Sequence, residues 1–148
     1  MLRAIRRAFS AAPEESHSPS DQARLAVAVL LHEARRADYA EGKRESAAAE
    51  AALVEMFGLD PATAAALLVQ GREKAQHLTS LFAPIAAVKR AFSQEERIRL
   101  VEHLWRVAFA EGGLDPYEDH YVRKVAHLLY VPNTQAMLAR NRARDGKP

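Results

Sequence analysis

The chain has 148 residues, no cysteine, and 21 basic against 19 acidic side chains. That length suits one domain with a core of its own. The lack of thiols excludes disulfides, thiolate zinc sites and cysteine nucleophiles, and it fits a reducing, cytoplasmic setting.

Residues 1–19 stand apart. Leu2, Ile5 and Phe9 recur at helical spacing with Arg3, Arg6 and Arg7 between them, followed by a polar stretch through Pro13, Glu14 and Glu15 to Pro19. This composition predicts a basic amphipathic segment on a flexible linker, a tether for a partner or for weak contact with a membrane surface. The body, residues 20–145, opens at Ser20 or Asp21, either of which can cap a helix. Leu25, Ala28, Leu31, Ala34 and Ala37 form its apolar face. A second helix is expected over 46–57, stopped by Gly58 in a left-handed conformation. Asp60 and Pro61 read as N-cap and first residue of a third helix, running to about His77. A fourth is predicted from Thr79 or Ser80 to Phe92, with Pro84 in its first turns. Ser93 and Glu96 form a capping box for the fifth, which carries Ile98, Val101, Leu104, Trp105 and Ala108 on one face. The sixth starts at Asp115 and Pro116 and carries Val122, Val125, Ala126 and Leu129. The last starts near Pro132 and runs to about Arg144, leaving 146–148 as a tail. Period-two alternation is absent, so the fold expected is all-α, a single bundle of about seven helices. No apolar run approaches bilayer-spanning length, and the N-terminus lacks the pattern of a secretory signal.

An acid-loop-acid pattern occurs twice, seventy-three residues apart, in Asp38 to Glu45 and in Glu111 to Glu118. The same offset sets Leu31 on Leu104 and Ala34 on Val107. A one-residue shift then sets Phe57, Gly58 and Leu59 on Leu129, Tyr130 and Val131. Two such copies predict a pseudo-two-fold repeat of helix pairs, with both acidic loops at one end of the bundle.

Asp38 and Glu111 fall near helix C-termini, where the dipole disfavours negative charge by ~0.3–1 kcal/mol. A cation shared by Asp38, Glu45, Glu111, Asp115 and Glu118 would offset that cost. Carboxylates on adaptable loops suit calcium or magnesium better than zinc. Asp115 and Glu118 are also spaced as N-cap and third residue of a capping box, which needs no metal. The interval is too short for an EF-hand. Asp119 and His120 add donors beside the second loop and are candidates for partner contact. Neither a nucleophile-base-acid signature nor a phosphate-cradling glycine loop occurs, so no catalytic residue is assigned. Trp105 is expected in the core, its indole N–H donating to a carbonyl.

The run Ala26 to Asp38, then Phe57, Gly58 and Leu59, then Phe109 to Asp119 together resemble the TerB-like family, named for tellurite resistance. The resemblance spans about residues 20–143. It implies a compact bundle of about seven helices with an acidic, cation-binding surface, and a link to tellurite or stress resistance. A domain of this kind also accompanies a membrane-anchored J-domain co-chaperone, which implies a module that docks partners. The family often has Asp-Gly at the loop start. Here Tyr39 follows Asp38, and position 111 is glutamate, whose longer arm changes the geometry.

The function expected is therefore a non-enzymatic interaction module, cytoplasmic or peripheral to a membrane, whose acidic loop face takes a divalent cation or a basic segment of a protein partner. A metal-dependent hydrolase using the same carboxylates with His120 would need an open pocket beside them. Nucleic-acid binding through the basic ends would need continuous positive potential, and the arginines there lack a reader motif.

Overall fold

Every residue from Ala26 to Leu31 is buried. A helix apolar all round belongs inside its domain, and this one, α1 (Pro19–Glu33), is the hub of the structure. The computed structural model describes residues 19–35, 43–110 and 112–146. After α1 come α2 (Lys43–Phe57), α3 (Pro61–Ala75), α4 (Phe82–Ala91), α5 (Gln94–Phe109), α6 (Pro116–Leu128) and α7 (Asn133–Asp145). No strand occurs among the described residues, and the all-α expectation holds. The N-terminal residues Leu2, Arg3, Ile5, Arg6, Arg7 and Phe9 lie outside the described residues, as do Asp38, Glu111 and the side chain of Glu45.

Helices α2, α3, α4 and α5 all pack on α1. The closest approach is at Gly71 of α3, where a Cβ would meet the Ala28 carbonyl carbon and Cβ at 2.7 Å. Backbone rests on backbone there, and only glycine leaves the room.

The repeat is visible in the packing. α1 lies most extensively against α3, and α5 lies likewise against α7. α2 bridges the first pair as α6 bridges the second. The two pairs correspond, each pair with its bridging helix forms a triplet, and α4 has no counterpart among the described residues. Local backbone follows the same register. Gly58 and Tyr130, placed opposite each other by the sequence, both end a helix in the left-handed region, at φ +66° and +61°. For Tyr130 this is a strained choice. Its ring is covered by Lys89 Nζ, 4.3 Å from the centroid, and its carbonyl accepts from Gln94 Nε2 at 3.0 Å.

Helix starts agree with the sequence where a cap fixes them. Ser93 accepts from the Glu96 N–H, and Glu96 reaches back to the Ser93 N–H at 2.8 Å. Asp60 and Pro61 stand at the N-cap and first position of α3. Two starts differ. α4 begins at Phe82, because Ser80 Oγ accepts from the Phe82 N–H at 3.2 Å and keeps Ser80 in the preceding turn. α2 begins at Lys43, since Lys43, Arg44 and Glu45 are good helix formers with no breaker before Ser46. Glu45 is therefore a first-turn residue of α2, as Glu118 is of α6.

The core joins both triplets. Trp105 is fully buried and its Nε1–H donates to the Ala136 carbonyl at 3.0 Å, tying α5 to α7 as expected.

Candidate functional site

The second acidic loop leads into α6. Asp115 is the N-cap, in extended backbone, and Pro116 is the first helical residue. Asp115 Oδ1 accepts from the Glu118 N–H at 2.8 Å, and Glu118 Oε1 accepts from the Asp115 N–H at 3.3 Å. This capping box satisfies helix-end donors and places two carboxylates against the positive end of the dipole, where negative charge is favoured. Glu118 is only 4% exposed, so its position is fixed by packing as well as by the cap.

One turn further on, Tyr121 reaches back to the first triplet. Its hydroxyl donates to the Leu30 carbonyl at 2.8 Å. Burial pushes this phenol well above its ordinary 10.0, and the nearby Glu33 and Tyr117 push the same way. Burial also raises the Glu33 carboxyl. Leu30 lies in the last turn of α1, whose chain continues through Ala34 into the first acidic loop. The exit of α1 and the entry of α6 are therefore side by side.

Of the five acids expected to share a cation, Asp115 and Glu118 are brought together here. Glu45 is on the first turn of α2 with its side chain outside the described ones, and Asp38 and Glu111 lie outside the described residues. Among the described residues no group of three or more His, Asp or Glu is arranged to hold a metal ion. Two carboxylates fall short of the roughly six to eight oxygens calcium takes, so any cation here would draw its remaining oxygens from the loops and from water.

Asp119 and His120, expected to meet a partner, behave differently from each other. Asp119 Oδ2 accepts from Arg123 Nε at 2.8 Å, and its Oδ1 lies 3.8 Å from Arg140 Nη1. Arg140 in turn sits over the Trp105 ring, 5.9 Å from its centroid. Asp119 is thus built into the α6–α7 contact. His120 is exposed.

Sequence reasoning missed Tyr121, the residue that joins the two ends. Its signal was modest: an aromatic one position before Val122 on the apolar side of α6, carrying a hydroxyl that needs a partner when buried. It also missed Glu102, which takes Arg106 on one oxygen and Arg142 on the other, each at 2.6 Å. Nothing local marks a pairing forty residues apart.

A helical bundle of two triplets, with capped carboxylates at the start of α6 beside the end of α1, is a TerB-like module. The chain belongs to the TerB family: the family model described as tellurite resistance protein TerB matches residues 24–141. Neither a curated protein nor a solved structure gives a significant match.

Proposed function

We propose that this chain is a non-enzymatic, cytoplasmic interaction module whose acidic loop face binds a divalent cation, calcium or magnesium rather than zinc. The observation that carries this reading is the bond from Tyr121 to the Leu30 carbonyl, which sets the capped pair Asp115 and Glu118 beside the exit of α1. Carboxylates already locked in place lose little entropy on meeting an ion, and hard cations favour such oxygens. A cation here would meet the carboxylates of Asp115 and Glu118, with Asp38, Glu45 and Glu111 completing its shell. It would join the two triplets at their loop end and alter the surface offered to a protein partner. A part in tellurite or stress resistance belongs to the same proposal, and family membership is what supports it.

The test is calorimetric titration of the full chain with calcium, magnesium, manganese and zinc, beside Glu118→Gln and Glu111→Gln. Saturable binding by the wild type, weakened at least tenfold in both variants, is the expected result. Glu111 lies outside the capping box, so its variant separates loss of a ligand from loss of a cap. A wild type that takes up no ion at millimolar concentration would overturn the cation reading. Titration with an oligo-arginine peptide would then test the same face as a seat for a basic segment.

A further inference from the structure

α3 and α4 both pack along α1 but not along each other. The gap between them is a trough of about 610 Å³. Its floor is one stripe of α1, with Gln22, Leu25, Ala26 and Val29 at steps of three, four and seven. The wall formed by α3 and the turn after it repeats that spacing in Gln70, Glu73, Lys74 and His77, and the α4 wall presents Ala83, Ala87 and Arg90. Three helices that turn stripes of i, i+3 or i+4, and i+7 toward a common groove form the seat for a fourth helix. Beyond Gln22 the floor is apolar, through Leu25, Ala26 and Val29, and the rim carries both signs of charge, with Glu73 and Lys74 on one wall and Arg90 on the other.

We infer that this trough is occupied by residues 2–9 of the same chain. Their sequence supplies the complementary stripe, with Leu2, Ile5 and Phe9 also at i, i+3 and i+7. As a helix they would be ~12 Å long, matching the floor from Gln22 to Val29, which is the same number of residues. The route is short. Residues 10–18 join the segment to Pro19, and the trough begins two residues further on, at Asp21. Nine residues reach ~30 Å when extended, longer than the ~22 Å of all of α1, so either orientation in the trough can be spanned. A tether of this length gives an effective concentration on the order of millimolar, so a contact too weak to form between separate molecules still closes within one. Docking buries Leu2, Ile5 and Phe9 and leaves Arg7, on the opposite side of the helix, in water.

The absence of cysteine makes a single-label experiment clean. A nitroxide is attached to Arg7→Cys in the full, isotope-labelled chain, and amide signals are compared before and after reduction of the spin label. Docking predicts loss of the Leu25, His77 and Ala87 signals in the nitroxide form, with those of α7, which packs on α5 and α6, retained. The losses disappear when Ile5→Asp and Phe9→Asp are added. They also disappear in Ala83→Glu, which puts a charge on an exposed wall position and leaves the core untouched. Full trough signals in the nitroxide form would overturn the inference. So would losses that arise only when spin-labelled chain is mixed with separate isotope-labelled chain, since the occupant would then be a second copy.

Discussion

The hydroxyl of Tyr121 and the carbonyl of Leu30 meet at 2.8 Å across ninety-one residues of chain. The contact is buried, and it is the direct link between the exit of α1 and the entry of α6. Tyr121→Phe removes it while keeping the ring. The Leu30 carbonyl retains the Ala34 N–H at 3.2 Å, so the loss is one hydrogen bond rather than a stranded acceptor, about 1 kcal/mol. Urea unfolding should show a lower midpoint with an unchanged slope. If the loop end binds a cation, the same variant should also bind it more weakly, because the two halves of the site are no longer held together. A variant of wild-type stability would mean that packing alone sets the junction.

Gly71 and Ala28 make a second prediction. With only 2.7 Å available to a new Cβ, and backbone as the obstacle, Gly71→Ala must push α3 away from α1. In a helix the change from glycine to alanine ordinarily stabilises by about 1 kcal/mol. Here overpacking should outweigh it, for a net loss of ~1–3 kcal/mol. Thermal unfolding gives the sign directly. A raised midpoint would refute the close approach of these two helices.

How much of this was legible in the sequence depended on how local the cause was. The capping boxes at Ser93 and Asp115 involve residues three apart, and both were readable. Gly58 ends α2 as expected, because glycine in the left-handed region is the ordinary way to stop a helix. Tyr130 does the same for α6 against its own preference. Only the register of the repeat pointed there, since propensity argues against an aromatic at φ +61°. The start of α4 moved by two or three residues because Ser80 bonds within a turn rather than capping the helix. Tyr121 to Leu30, and Glu102 to Arg142, depend on tertiary placement and leave no pattern in a single sequence. The acids of the candidate site are proposed from their spacing. Of that set, the structure speaks for Asp115 and Glu118 and for the shared end of the bundle.

Glu102 clamps α5 to α7. Its two oxygens each accept from an arginine at 2.6 Å, Arg106 one turn along α5 and Arg142 on α7. Exposed ion pairs contribute little, but the Glu102 side chain is largely buried and holds both cations in charge-assisted hydrogen bonds. Glu102→Gln keeps the shape and removes the charge, and should cost about 1–3 kcal/mol. A double-mutant cycle with Arg142→Gln isolates the interhelical pair, and a coupling above about 0.5 kcal/mol is expected. Additive losses would show that the pair contributes nothing beyond its separate side chains.

His103 sets the acid limit of the fold. It is buried between α2 and α5, with Nε2 3.5 Å from Glu55 Oε2. Burial lowers its pKa below the ordinary 6.5 and Arg106 and Arg99 add to this, outweighing the opposite pull of Glu55 and Glu102. His103 is therefore uncharged at neutral pH, and its contact with Glu55 is not an ion pair there. His32 on α1 is lowered too, by burial and then by Arg35 and Arg72. In the unfolded chain both imidazoles titrate near 6.5, so below that pH the unfolded state takes up protons that the folded state resists. Their contribution is complete above about pH 6.5 and declines as pH falls through the window down to the folded values. Glu33 acts in the other direction: its raised carboxyl pKa lets the folded state hold a proton more readily around the ordinary 4.5, so its contribution is lost as pH rises past that point. The midpoint of urea unfolding should therefore drop between pH 7.5 and pH 5.5, a range in which the histidines dominate. His103→Gln, which cannot take up a proton, should lower stability at neutral pH and flatten that dependence. An equal pH slope in wild type and variant would assign the acid sensitivity to other groups.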